Sequence, residues 1–357
     1  VSLLFSSAQV GALRLQNRVV MAPMTRSRAS ADHVPTPIMA TYYGQRANAG
    51  LILTEGTAPA ADGAGYARIP GLWSAEQAEA WRPAVEAAHA GGAAIAAQLM
   101  HTGRVGHPDN LPAGARILGP SANAAPGQMW TDGGGMQDHP AAFEMTEADI
   151  EAAIASFVRA AEHAIAAGFD GVELHGANGY LIDQFLCPSV NTRTDGWGGA
   201  QRGRFLLEVA RRTAAAIGAG RVGVRLSPYG VFNGIQAWDG IEADYLGWAK
   251  ALGELGLAWL HLVDHSSMGA PPVPQALKRA LRDAFGGALI LSGGYDAARA
   301  EAELQAGEGQ LVAFGRPYIA NPDLVQRLQA GAPLAAPDFA SFYTPGEAGY
   351  TDFPAHG

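Results

Sequence analysis

A chain of 357 residues is long enough for two average domains or for one α/β barrel, and either would bury a large core. Its 24 basic and 33 acidic residues leave a formal charge of -9, which argues against nucleic acid or an anionic membrane as the main partner. The single cysteine, Cys187, excludes an intrachain disulfide or thiolate cluster, and no apolar run approaches the roughly 18 residues of a membrane span.

Residues 9–15 place a glycine among alternating side chains and read as a small hairpin. Eight short apolar runs follow, at 18–21, 50–54, 93–99, 171–174, 222–226, 259–263, 288–291 and 310–314. Segments of helical period lie between them. The clearest is 146–168, where Thr146 can cap, Asp149 stands at the third helical position, and Ile150, Ile154, Phe157, Val158, Ala161 and Ile165 form one face. Thr36 followed by Pro37 is a second start signal, and further helices fall near 75–90, 200–217, 243–255, 274–285, 296–306 and 321–330. Strand then helix, eight times with right-handed crossovers, is a closed (β/α)8 TIM barrel, expected as one domain over 1–357. The insertion of about 103–145, after the third strand, is rich in Gly and Pro and contains Trp130, Met136 and Phe143. It is expected to carry its own short strands over the barrel mouth.

In such a barrel the active site is built at the carboxyl ends of the strands. The runs end in Ala22-Pro-Met-Thr25, Glu55-Gly-Thr57, Gln98-Leu-Met-His101, His175, Arg225, Asp264-His265, Ser292-Gly-Gly294 and Gly315-Arg316. Polar groups or glycines at all eight ends suggest one ligand touching most of the ring. Beyond the fourth run, His175, Asn178 and Tyr180 come in quick succession. The first two are neutral donors that could hold a carbonyl oxygen gaining charge, and the third is a phenol that could supply a proton. Taken singly, each would be an ordinary core side chain satisfied by its neighbours. Gly293, Gly294, Gly315 and Arg316 fall where barrels commonly bind phosphate, with bare backbone amides and a guanidinium. Arg225, deeper in the ring, must face an anion from the protein or from a ligand.

Two short matches are set aside. Gly218-Ala-Gly-Arg-Val-Gly223 has the dinucleotide spacing but ends a helix and opens a strand, the reverse of the required order. His261 and His265 have the spacing of a zinc pair but straddle a strand end without the accompanying glutamate, so no metal is expected. Cys187 is expected to pack as a small hydrophobe.

With these residues in place, the sequence resembles the Old Yellow Enzyme family of FMN-dependent ene-reductases over nearly its whole length. The motifs are Asn17-Arg-Val-Val-Met-Ala-Pro-Met-Thr-Arg26, Thr54-Glu-Gly-Thr57, Gln98-Leu-Met-His-Thr-Gly-Arg104, the stretch 169–199, 312–324 and Gly349-Tyr-Thr-Asp-Phe-Pro354. The resemblance implies tightly bound, non-covalent FMN, with NADPH or NADH as reductant. It places Pro23, Met24 and Thr25 along the flavin ring, Gly56 and Gln98 against it, and Arg225 beside its negative pole. Gly293, Gly294, Gly315 and Arg316 would hold the phosphate. His175 and Asn178 would bind the oxygen of an enone, enal or nitro substrate, and Tyr180 would protonate the substrate's Cα after hydride transfer from flavin N5 to Cβ. Tyr66, Met100 and Tyr343 would line the pocket. Met100 stands where many members carry a tryptophan, so substrate preference is not carried over.

Other readings are a flavin-free phosphate-binding barrel lyase or isomerase, and a non-catalytic flavin-binding protein. The first usually needs a lysine or a carboxyl acid/base at a strand end, whereas Lys250 and Lys278 fall in helical segments. The second is disfavoured by the presence of His175 and Tyr180. Related flavin barrels with an iron-sulfur cluster are excluded by the lone cysteine. The remaining expectations are a cytoplasmic monomer or homodimer that acts on a small molecule and binds neither nucleic acid nor membrane.

Overall fold

Val10, Leu13 and Leu15 begin the fold by stoppering one end of a barrel. They belong to an antiparallel hairpin, Ala8–Val10 against Leu13–Leu15, and are buried with Leu51, Ala94, Ala258 and Leu311 where the barrel strands start. The structure, a computed structural model, describes residues 2–355. Its barrel strands are β1 (Val19–Met21), β2 (Leu51–Leu53), β3 (Ala94–Leu99), β4 (Gly171–Gly176), β5 (Val222–Leu226), β6 (Trp259–Val263), β7 (Ala288–Ser292) and β8 (Leu311–Phe314). They run parallel in sequence order, β8 pairs with β1, and β3 pairs with β4, so the sheet closes.

Alternation along each strand divides the side chains between two environments. In β4, Val172 and Leu174 pack in the core shared with the outer helices, while Glu173 and His175 take the other face and look into the barrel. Glu173 lies in register with Gly223, and Gly223 with Trp259. A Cβ on Gly223 would overlap the Trp259 indole, so the glycine is what lets that ring fill the interior.

The helix Glu147–Ala167 forms as expected: Thr146 Oγ1 accepts from the Asp149 amide and Asp149 accepts from the Thr146 amide. Ile150, Ile154, Phe157 and Ala161 bury its inner face. Thr36 precedes the helix Pro37–Gln45, although its hydroxyl donates to the Arg28 carbonyl at 2.6 Å. The helix expected at 200–217 starts only at Arg204, after a separate turn at Gly199–Gln201. Leu181–Leu186 and Arg316–Ala320 are helices the sequence reading missed, because neither completes two turns and so neither displays a period. Residues 218–221 form a turn between helix and strand, and Cys187 is buried beside Val190 and Ile235.

The insertion after β3 carries short strands as expected. Leu118–Gly119 pairs with Phe143–Glu144, and Gln128–Thr131 forms a hairpin with Gly135–Asp138. Gln128, Met129, Trp130 and Met136 of that hairpin face the cavity at the barrel mouth, whereas Phe143 lies elsewhere, under Arg116. No helix among the described residues is long and apolar enough to cross a membrane.

Candidate active site at the carboxyl ends of the strands

A cavity of about 440 Å³ opens where β1 to β5 end. Pro23 and Thr25 come from the end of β1, Gly56 from β2, Gln98 and Met100 from β3, His175 from β4 and Arg225 from β5. Asn178 and Tyr180 follow β4, Tyr66 follows β2, and Tyr343 is brought in by the segment that follows the last helix. Met24 and the four residues expected at a phosphate lie outside its lining. Met24 nevertheless points toward that end, its Sδ 3.7 Å from where a Cβ on Gly315 would stand.

His175 is neutral, and one tautomer is fixed. Burial, then the charge of Arg225, pushes its pKa well below the usual imidazole value. Its Nδ1 accepts from the Ala177 amide at 3.3 Å, so the ring proton sits on Nε2. Asn178 has a left-handed backbone, φ 60°. It is held at three points: its amide donates to Ser227 Oγ (3.0 Å), its carbonyl accepts from Asn233 Nδ2 (2.7 Å), and its Oδ1 lies 2.8 Å from His265 Nε2. The Tyr180 ring stands edge-on to His175, with centroids 4.9 Å apart, and its hydroxyl is 3.0 Å from that of Tyr66. Burial raises both phenols above the ordinary tyrosine value, so each keeps its proton.

Beneath this cluster lies a carboxylate that the sequence reading passed over. Glu173 receives hydrogen bonds from Gln98 Nε2, Trp259 Nε1 and His261 Nδ1, each at 2.9 Å. Burial pushes its pKa up, but His261, Arg225 and Trp259 together hold it below the usual range. The signal was available, since a residue two before His175 on a strand shares its face. Arg225 feels the Glu173 charge, yet its own buried Nε has no hydrogen-bond partner among the described residues. A buried guanidinium short of partners costs on the order of several kcal/mol. The protein anion anticipated for Arg225 is therefore near but incomplete.

At the ends of β7 and β8 the backbone is bare. Gly293 and Gly294 adopt φ 139° and 64°, and a Cβ on Gly293 would overlap the Asp264 carbonyl oxygen, so only glycine fits. Arg316 is exposed and its guanidinium makes no hydrogen bond or ion pair among the described residues. Lys278, helical as expected, reaches back to this end and pairs with Asp264 Oδ2 at 2.7 Å. The two histidines of the zinc-like spacing have different partners, Glu173 and Asn178.

This donor set fits FMN. Amides flanked by glycine and a free guanidinium suit a phosphate, and an orphaned buried cation suits the electron-rich edge of a flavin. Comparison with known proteins agrees. Residues 3–335 match the NADH:flavin oxidoreductase / NADH oxidase family. The chain is 43% identical to the chanoclavine-I aldehyde reductase of Penicillium roqueforti, over 98% of this chain and 95% of that protein. It is 40% identical to a probable flavin mononucleotide-dependent alkene reductase of Leishmania infantum, over 97% and 95%. Among solved structures it superposes on morphinone reductase with a TM-score of 0.95 and 41% identity, covering 99% of this chain and 96% of that one. An old yellow enzyme homologue from Zymomonas mobilis gives 0.93 and 40%, covering 98% and 99%.

Proposed function

This chain belongs to the NADH:flavin oxidoreductase / NADH oxidase family, the Old Yellow Enzyme group, and from that premise we propose which residues carry each part of the reaction. The protein is an FMN-dependent NAD(P)H oxidoreductase that reduces activated carbon–carbon double bonds. FMN, when bound, would supply the hydride chemistry that links NAD(P)H to Cβ of the activated alkene. His175 Nε2 and the Asn178 side-chain amide hold the carbonyl or nitro oxygen of the substrate. Both are neutral, so they strengthen as that oxygen gains charge, and each is worth a few kcal/mol, on the order of a hundredfold in rate. Tyr180 then gives its proton to Cα of the alkene, and the Tyr66 hydroxyl, 3.0 Å away, stabilises the phenolate left behind.

Arg225, Gln98 and Thr25 would hold the flavin ring with Pro23, Met24 and Gly56. Gly293, Gly294, Gly315 and Arg316 would hold its phosphate. Tyr66, Met100 and Tyr343 would shape the substrate side. One unit carries all of these, and an enone, enal or nitro compound is the substrate class. The net charge of -9 suits a small-molecule substrate rather than a polyanionic partner, and we place the enzyme in the cytoplasm.

The observation that carries this reading is the convergence of three neutral proton-bearing side chains, His175, Asn178 and Tyr180, on one cavity that also holds the orphaned Arg225 cation. The test is optical. Purified protein should show a flavin spectrum and gain a long-wavelength charge-transfer band with p-hydroxybenzaldehyde. His175→Ala combined with Asn178→Ala should abolish that band. Its survival in the double variant would remove both residues from the oxygen site, and a colourless protein that takes up no FMN would refute the cofactor reading.

A further inference from the structure

We propose that His265 is a positioning residue whose Nε2–H holds Oδ1 of Asn178 and so turns the Asn178 NH₂ group toward the substrate oxygen, a role that rests on Asn178 being an oxygen donor. An asparagine amide has two ends of nearly equal size and opposite character, an acceptor and a double donor. With its Oδ1 toward the cavity, Asn178 would repel the oxygen it has to bind. The backbone contacts of Asn178, to Ser227 and Asn233, fix where the residue sits but leave the side-chain amide free to turn. His265 is what distinguishes the two ends, 2.8 Å from Oδ1.

The geometry around His265 supports this. The ring leaves the end of β6, directly after Asp264, and stands edge-on to Phe232 with centroids 4.5 Å apart. Phe232 and Asn233 belong to the loop after β5 that also packs on Gly179, so one loop braces both partners. Burial, with Arg225 adding to it against the opposing charge of Asp264, brings the His265 pKa down to about 4. Near neutral pH the ring therefore carries one proton. That proton serves the substrate only when it is on Nε2, because the other tautomer would accept from the Asn178 NH₂ group and expose Oδ1 instead.

The experiment compares His265→Ala, His265→Gln, Asn178→Ala and the double variant His265→Ala/Asn178→Ala as FMN holoenzymes. The readouts are the dissociation constant for p-hydroxybenzaldehyde from its charge-transfer band, and kcat and KM for 2-cyclohexenone. Asn178→Ala is expected to weaken phenol binding at least tenfold and His265→Ala about as much. Adding His265→Ala to Asn178→Ala should change nothing further, and His265→Gln, which keeps an N–H donor, should recover most of the loss. Phenol binding within twofold of the parent in His265→Ala, while Asn178→Ala is impaired, would overturn the role of His265 alone. So would a His265→Ala effect that persists in full without Asn178. An unimpaired Asn178→Ala variant would overturn the reading of the oxygen site itself, and this proposal with it.

Discussion

Tyr180 is suited to act as an acid because burial holds its proton and a neighbour waits for the charge left behind. Tyr180→Phe should slow enone reduction by about a hundredfold, the low end for loss of a positioned acid. Stopped-flow measurement of the two half-reactions checks this, since equal slowing of flavin reduction by NADPH would refute a role as proton donor. Tyr66→Phe removes only the stabilising hydroxyl at 3.0 Å, so its effect on the same step should be smaller, about tenfold. His175 and Tyr180 were legible in the sequence because a strand end followed by a loop is where a barrel displays side chains. Glu173 and His265 were harder to find. Glu173 shows only in the strand alternation it shares with His175, and the contact of His265 with Asn178 joins residues far apart in the chain, which no motif marks.

The loop after β4 is a small device in itself. Asp183, in the helix Leu181–Leu186, is fully buried and accepts from the Gly179 amide at 2.9 Å, with the hydroxyls of Tyr245 and Ser227 beside its carboxyl. Burial pushes this carboxyl up to about 7, against about 4 in an unfolded chain. The folded state thus holds the proton more tightly than the unfolded state. The stabilisation linked to that proton is fully present below about pH 4 and is lost as pH rises through about 7. Asp183→Asn removes this titration, so the variant should gain melting temperature relative to the parent between pH 5 and pH 8. A constant offset at both values would show that Asp183 does not titrate in that window. At the far side of the barrel, Gly293→Ala should cost FMN affinity, because a Cβ there meets the Asp264 carbonyl oxygen and the φ of 139° disfavours any side chain. Flavin content after dialysis checks this, and a variant that retains the parent's flavin would refute the tight fit at Gly293.

Across the whole molecule, the segment after the last helix returns to the barrel mouth and is clamped by three buried arginines. Arg26 donates to the carbonyls of Phe342 and Gly349, Arg28 to those of Ser341, Phe342 and Ala348, and Arg46 to that of Tyr350. The Tyr350 ring stacks on Tyr42 at 4.0 Å, under the Arg28 guanidinium at 4.7 Å. Tyr350→Ala should therefore cost about 3 to 5 kcal/mol, the range for emptying a large aromatic site, as read from a urea melt. It should also loosen Tyr343, which the same segment brings to the cavity. The sequence by itself determined the barrel, because eight alternations of apolar run and helical period leave few other ways to bury both faces of a sheet. It also determined the positions of the polar strand ends, since those follow from the same periodicity. Only the tertiary structure decided which partners those ends meet. Glu173 collects Gln98, Trp259 and His261 from different strands, Lys278 crosses from its helix to Asp264, and His265 reaches Asn178 across the barrel mouth. Such contacts join residues distant in the chain through the curvature and register of a closed sheet, and local sequence pattern carries no information about that geometry.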